Sequence, residues 1–321
     1  MKSCVDLVIG GPDMSGTSTQ VKSIVQFFRD INWKIRDLRG SELHALFHAQ
    51  RFSKFNQNHE RMQDFLNDPN VPEQDKQEFI SQSMELLHGG GTNQDLQVAS
   101  CINNSVSTYI DPNSADVWVM EEPTKRGAGQ VNRTIEQQRT KYGSSLHPVA
   151  AALSHQAYRT DEFLRFRKAL REANKVIIRS RSEESACYQI YNPVLLPQGI
   201  SREDYLNLPG HKFAFSYAPT HLFIVCAGNE WKKEQYLQLK KQRSGGRDID
   251  DHEKNADYQL FVNRRYSQEG WLEGLYQDGV NLHGGKVPEL TRFNIYGSIT
   301  EIKQQMLRRL FQILKENAQQ K

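Results

Sequence analysis

The residues most able to carry out chemistry stand near the start of the chain, in the stretch GGPDMSGTST that begins at residue 10. Gly11 and Gly16 let backbone N–H groups turn inward, and the N-terminus of a following helix favours an anion. Between a strand and a helix, this stretch predicts a phosphate-binding loop formed with Thr17, Ser18 and Thr19, in which the Ser18 hydroxyl could bind Mg²⁺. Thr17 replaces the lysine of the usual motif, so an ordinary glycine turn remains an alternative for these residues alone.

The flanking residues predict the elements that such a loop needs. Residues 5–10 form a short, mostly apolar run that suits a buried parallel strand. After the loop, an apolar stripe at i, i+3, i+4 and i+7 predicts a helix against a sheet: Val21, Ile24, Val25 and Phe28. Further apolar runs separated by helical patterns predict a doubly wound parallel α/β sheet with flanking helices, at 116–122, 175–180, 221–227 and 292–296.

The remaining chain is predicted to be largely helical. Pro148 opens a helical pattern that continues to about residue 173. Ser298 and Glu301 have the spacing of a capping box, and the helix that follows has one apolar face: Ile302, Met306, Leu310 and Ile313. Residues 40–113 do not follow the strand–helix alternation, and we interpret them as a helical insertion in a single domain of residues 1–321.

Composition narrows the class of protein. With 37% hydrophobic and 25% charged residues and a net charge of +3, the chain is expected to be soluble and globular, with no need for a specific nucleic-acid surface. The four cysteines lack metal-site spacing and are expected to be reduced thiols. No signal peptide or membrane-spanning stretch is recognisable, so a cytoplasmic protein without a membrane partner is expected.

Several stretches in the same order resemble the thymidylate kinases, a family of P-loop nucleoside monophosphate kinases. GGPDMSGTSTQ is similar to their phosphate loop, and MEEPTKRGAGQVNR (120–133) to the motif after their second strand. Residues 152–189 resemble the family's next helix, strand and Y-Q motif, and 238–266 resemble the basic lid and the helix behind it. The resemblance covers somewhat over half the chain and implies a P-loop NTPase-type fold.

The resemblance also implies an activity and residue roles. The family transfers the γ-phosphate of ATP, with Mg²⁺, to a dTMP-like deoxynucleotide. Asp13 and Glu122 would lie near the sugar and the acceptor phosphate, and Tyr188 and Gln189 beside the base. The lid-like segment, 238–256, would bring Arg243 and Arg247 to the transferred phosphate. Related kinases are commonly dimers, so a homodimer is possible.

This sequence departs from the family at three charged positions. Gln156 stands where the family has the arginine that holds the acceptor phosphate; Arg159, on the same helix face, could replace it or could be a solvated surface arginine. The lysine of the phosphate loop is missing. The family also has a carboxylate at the end of its third strand, whereas this sequence has Arg179-Ser180-Arg181 at that place.

We hypothesise that Arg179 or Arg181 supplies the charge of the missing loop lysine, because a cation is gained near the place where one is lost. An active kinase is the favoured interpretation. The alternative is a catalytically silent relative that binds a nucleotide or a partner protein.

Overall fold

The computed structural model describes residues 3–39, 69, 72–74, 76, 110–123, 148–228, 231–244 and 255–319. Most of the insertion predicted at 40–113 lies outside these residues, as does the central part of the lid-like segment.

The described strands form one parallel sheet, which confirms the predicted fold class. Its order is β2-β3-β4-β1-β5-β6, and every neighbouring pair is parallel. The strands are β1 (Val5–Gly10), β2 (Ile35–Asp37), β3 (Val117–Glu121), β4 (Val176–Ser180), β5 (His221–Cys226) and β6 (Glu289–Asn294). The predicted runs at 5–10, 116–122, 175–180, 221–227 and 292–296 correspond to β1, β3, β4, β5 and β6. The three-residue β2 was not predicted from the sequence.

Helices cover both faces of the sheet. They are α1 (Thr17–Asp30), α2 (Pro148–Glu162), α3 (Lys168–Glu172), α4 (Arg202–Asn207), α5 (His211–Ser216), α6 (Lys233–Ser244), α7 (Ala256–Ser267), α8 (Trp271–His283) and α9 (Ile299–Gln319). The helix predicted from Pro148 is present but contains a π-helical turn, Phe163–Arg167, between α2 and α3. A 3₁₀ segment, Glu183–Tyr188, follows β4.

Alternating residues of β1 divide the core into two layers. Val5, Leu7 and Ile9 face the layer that contains α1 and α9, where the predicted apolar stripes of both helices are buried. Val8 faces the opposite layer, which contains α5, α7 and α8. The predicted capping box is present: the Ser298 N–H donates to Glu301 Oε2 at 2.7 Å, and the Glu301 N–H donates to Ser298 Oγ at 3.2 Å.

Two further sequence expectations concern thiols and membranes. Cys4, Cys187 and Cys226 form no disulfide in the described residues. Among the helices of the described ranges, none has both the length and the apolar character needed to span a bilayer.

Adjacent residues of α9 provide a test of this packing. Leu310 is fully buried against the sheet, whereas Phe311 is 59% exposed. We expect Leu310→Ala to lower the free energy of unfolding by about 2 to 5 kcal/mol and Phe311→Ala to change it by less than about 0.5 kcal/mol, measured by urea denaturation. Equal effects would show that the two faces of α9 are assigned wrongly.

Candidate active site

The loop between β1 and α1 requires glycine at two positions. Gly11 has φ +152°, and a Cβ there would lie 2.3 Å from the Val225 carbonyl oxygen and 2.7 Å from Ser15 Oγ. Gly16, at the N-cap of α1, has φ +85°. Only glycine adopts such conformations readily and also permits so close an approach of the backbone. The two glycines therefore determine the shape of this turn.

The first turn of α1 presents polar groups at its N-terminus. The Thr19 and Gln20 N–H groups donate to the Gly16 carbonyl oxygen at 3.0 and 3.1 Å. Among the described residues, none accepts a hydrogen bond from the Thr17 or Ser18 N–H. The side chains of Ser18 and Thr19 are exposed, and Thr17 is buried. The helix dipole and two available amides form an environment that suits an anion.

Arg181 lies directly beside this loop. Its guanidinium forms an ion pair with Asp13 at 2.5 Å and lies over the Tyr188 ring, 5.2 Å from the centroid. The backbone N–H of Arg181 donates to the Ile9 carbonyl oxygen at 3.0 Å, and the φ of +68° at Arg181 turns the chain as β4 ends. Gln259 Nε2 donates to the other oxygen of Asp13 at 2.8 Å. With 23% of its side chain exposed, Arg181 places a cation at the edge of the loop.

Arg179 lies elsewhere. It pairs in register with Val8, so it faces the layer opposite α1, and its Nε donates to Asp6 Oδ1 at 2.8 Å. Arg167 and Arg171 also reach Asp6, at 3.4 and 2.9 Å. Asp6 is fully buried, which would raise its pKa, but the three guanidinium groups lower the pKa to about 2. Because Arg179 belongs to this ion network, only Arg181 of the two hypothesised cations lies at the loop.

Glu122 and Arg159 meet at the carboxyl end of β3, on the side of the sheet opposite α1. Arg159 Nε and Nη2 donate to the same Glu122 oxygen at 2.8 and 2.5 Å. Arg159 is 1% exposed and also contacts Tyr205 Oη, at 3.2 Å, and the Ser182 carbonyl oxygen, at 3.1 Å. Arg159 is therefore not a solvated helix arginine. Its positive charge is already paired with the carboxylate of Glu122.

Gln156, which was expected at the acceptor phosphate, is buried and contacts a histidine. Its Nε2 forms a short hydrogen bond to His211 Nε2. His211 also lies within 3.3 Å of Arg159 Nη1, and burial together with that arginine lowers the pKa of His211 to about 3. A neutral histidine at this position adds no positive charge for an acceptor phosphate.

Glu184 lies at the candidate site, and the sequence had not singled it out. It is fully buried, and neither carboxylate oxygen has a hydrogen-bond partner in the described part of the chain. Burial and the neighbouring Glu122 carboxylate raise the pKa of Glu184 to about 7. Its position in a Glu-Glu pair three residues after Arg181 was the available signal, but only the fold brings it to the loop.

Tyr188 and Gln189 were expected beside a base; Tyr188 ends the 3₁₀ segment Glu183–Tyr188, and Gln189 follows it. The Tyr188 ring is surrounded by Arg181 and by the rings of Tyr258 and Tyr266, whose centroids lie 6.1 and 6.3 Å away. Gln189 is buried, and its Oε1 has no hydrogen-bond partner among the described residues. The backbone of Arg243 belongs to α6, whereas its side chain and all of Arg247 lie outside the described residues.

The strand, glycine loop and helix at the centre of a parallel sheet make this a P-loop NTPase-type α/β fold. No protein-family model matches the sequence, and no curated protein matches it. Among solved structures, thymidylate kinase from Ehrlichia chaffeensis is similar to this chain with a TM-score of 0.46 and 12% sequence identity, over 96% of this chain and 98% of that one. The fold class rests on the sheet and the loop, not on this likeness.

The different surroundings of Arg179 and Arg181 predict different effects on stability. Arg179→Ala removes a positive charge from beside the buried carboxylates of Asp6 and Glu183. We expect this change to lower the free energy of unfolding by about 3 to 5 kcal/mol. Arg181→Ala removes a partly exposed pair and is expected to cost about 0 to 1 kcal/mol. Urea denaturation of both variants measures the difference, and similar losses would contradict the placement of Arg179.

A second prediction concerns Glu162, which is buried at the end of α2. Burial, with the Glu122 and Glu183 carboxylates, raises the pKa of Glu162 to about 7. Because the folded state then holds a proton that the unfolded state releases, stability falls as the pH rises from about 4.5 through about 7. We expect Glu162→Gln to reduce this fall between about pH 5 and pH 8 by up to about 3 kcal/mol, measured by urea denaturation at each pH.

The matched control is Glu172→Gln, which changes an exposed glutamate of α3. It should leave the pH dependence of stability as in the wild type. A Glu162→Gln variant with an unchanged pH dependence would show that Glu162 titrates like a solvated carboxyl.

Proposed function

We propose that this protein is an ATP-dependent phosphotransferase with a nucleoside-type acceptor. One observation carries the proposal: the amides at the start of α1 and the guanidinium of Arg181 lie together at the carboxyl end of the central strand β1. In open α/β sheets, ligands bind at the carboxyl ends of the strands. Phosphoryl transfer depends chiefly on positioning and on neutralising phosphate charge, and this arrangement offers both.

Arg181 is the proposed replacement for the loop lysine at position 17. Its present partner, Asp13, is itself on the loop, so the guanidinium needs only to exchange one anion for another to contact a phosphate. Arginine can donate two parallel hydrogen bonds to a phosphate and stays protonated at any working pH. Arg243 and Arg247 remain proposed contributors from the lid-like segment.

Mg²⁺ fits this loop through Ser18. The described residues contain no group of three or more His, Cys, Asp or Glu side chains that could hold a metal ion. Mg²⁺ in nucleotide sites is commonly held by few protein groups together with substrate phosphates, and the exposed hydroxyl of Ser18 in the first turn of α1 can serve in that way. The ion would supply neutralisation of the β- and γ-phosphate oxygens.

The resemblance implies a dTMP-like acceptor, with Asp13 and Glu122 near its sugar and phosphate and Tyr188 and Gln189 near its base. The aromatic surroundings of Tyr188 and the unpartnered Gln189 oxygen support a base at that place. An acceptor phosphate would have to share Arg159 with Glu122.

The alternative is a catalytically silent relative that binds a nucleotide or a partner protein. Two observations favour it: Thr17 carries no charge, and Arg159 is already paired. Binding of ATP without transfer to any acceptor would support this second function.

The test of the first function is ATP binding by variants at the loop. Arg181→Ala should weaken the affinity for Mg²⁺–ATP by roughly ten- to a hundredfold, because a charge-assisted hydrogen bond is worth about 1.5 to 3 kcal/mol. Thr17→Lys in the Arg181→Ala background restores a cation in the usual motif position and should recover most of that loss. Isothermal titration calorimetry with a non-hydrolysable ATP analogue measures each affinity.

Arg264→Ala, which removes an exposed arginine of α7, is the matched control and should bind the analogue like the wild type. If Arg181→Ala also binds like the wild type, the proposed compensation is wrong. If the wild type itself does not bind the analogue, the phosphotransferase proposal fails.

A further inference from the structure

The buried carboxyl group of Glu184 bears on the identity of the acceptor of the proposed phosphotransferase. Burying a carboxyl group without a hydrogen bond costs free energy, so a fully buried and unpartnered example requires an explanation. Neither oxygen of Glu184 is paired with another described residue. The residue before it, Glu183, contrasts with it because it lies near Arg167, Arg179 and Ser182.

Glu184 lies against Gly10, the residue that precedes the loop between β1 and α1. Gly10 is the last residue of β1, and a Cβ at this position would be 2.6 Å from Glu184 Oε1 and 2.7 Å from Glu184 Cγ. By the alternation of β1, Gly10 faces the same layer as Val8, opposite α1. The carboxyl group therefore lies at the carboxyl end of the central strand, on the side where Glu122 and Arg159 meet.

The charges on this side are unfavourable for a phosphate acceptor. Arg159 directs two of its donors to Glu122 Oε1, and Glu122 Oε2 has no hydrogen-bond partner among the described residues. A monophosphate would bring two negative charges next to the carboxyl groups of Glu122 and Glu184. His211, which burial keeps neutral, does not offset them. A neutral hydroxyl meets no such repulsion and needs an acceptor for its proton.

We propose, on the basis of the phosphotransferase function above, that the acceptor is the hydroxyl group of a nucleoside rather than a nucleoside monophosphate, and that Glu184 is the base. The hydroxyl oxygen forms a bond to the γ-phosphorus of ATP while the bond between that phosphorus and the β–γ bridging oxygen breaks. ADP leaves with the electron pair of the broken bond. The hydroxyl proton passes to the Glu184 carboxylate and then to solvent, so the products are a phosphate monoester, ADP and a proton.

The surroundings of Glu184 suit a base that works near neutral pH. Burial, Glu122 and Glu183 raise its pKa while Arg181 and Arg159 lower it, and the net result is a pKa of about 7. A general base is most effective when its pKa lies near the working pH. Among the described residues, Cys187, Tyr266 and Tyr276 also interact with Glu184, and burial raises the pKa of each.

The experiment compares acceptors and variants in the full-length protein. Radiolabelled γ-phosphate transfer from ATP with Mg²⁺ is measured for the four deoxynucleosides and for their monophosphates. We expect at least one deoxynucleoside to be phosphorylated with a kcat/KM at least tenfold above that of its monophosphate. Glu184→Gln should lower kcat about 100-fold or more while leaving the affinity for the ATP analogue unchanged.

The pH profile distinguishes a base from a merely structural residue. In the wild type, kcat should rise as the pH increases through about 7, because the base must lose its proton. Glu184→Gln should lose this rise in its residual activity, and Glu184→Asp should retain it at a lower kcat. Glu203→Gln, which changes an exposed glutamate of α4, is the matched control and should keep the wild-type rate and profile.

Each contrary outcome has a distinct meaning. Monophosphates preferred over nucleosides would overturn the inference and leave the phosphotransferase function in place, as would a Glu184→Gln variant with the wild-type kcat. ATP binding without transfer to any acceptor would overturn the inference in favour of the silent relative. If Glu184→Gln fails to fold, the acceptor preference and pH profile of the wild type still decide the question. Absence of ATP binding would overturn the proposed function itself.

Discussion

The structure depends on the interaction of one buried carboxylate with three guanidinium groups. Asp6 is fully buried in the central strand and is contacted by Arg167, Arg171 and Arg179. Arg167 and Arg171 also donate to the carbonyl oxygens of Tyr217 and Ala218 before β5. The network therefore ties β1 to β4, to the helical segment after α2 and to the approach of β5. Removing one member leaves buried charge uncompensated, which is why such networks tolerate little change.

This network determines which charges remain for function. Arg179 pairs with Asp6, Arg159 pairs with Glu122, and Arg181 pairs with Asp13. The first two pairs are buried. The third is partly exposed and lies at the loop between β1 and α1, so it is the pair best placed to exchange partners with the phosphate of the proposed function. Glu184 is the carboxyl group left without a hydrogen-bond partner among the described residues around the loop, and the acceptor inference follows from it.

Much of the fold could be predicted because its signals are local. A buried parallel strand needs only a short apolar run, and α1 and α9 need only an apolar residue every third or fourth position. The edge strand β2 was missed because three residues, Ile35–Asp37, carry no recognisable period and acquire strand geometry by pairing with β3. The π-helical turn after α2 was likewise invisible, since a change of one residue in helical phase leaves the apolar pattern almost intact.

The candidate site could be predicted only in part from the sequence. The sequence by itself determined the glycine loop, the absence of its lysine and the presence of arginines at 159, 179 and 181. It could not choose between Arg179 and Arg181, because residues two apart in a strand share a face. The structure separates them, since β4 ends at Ser180 and a left-handed residue follows. Only tertiary structure decided which carboxylate each arginine pairs with, and that Glu184 has no hydrogen-bond partner among the described residues. The physical reason is that electrostatic pairing acts between segments that are distant in the chain and that the fold brings within a few ångströms of each other.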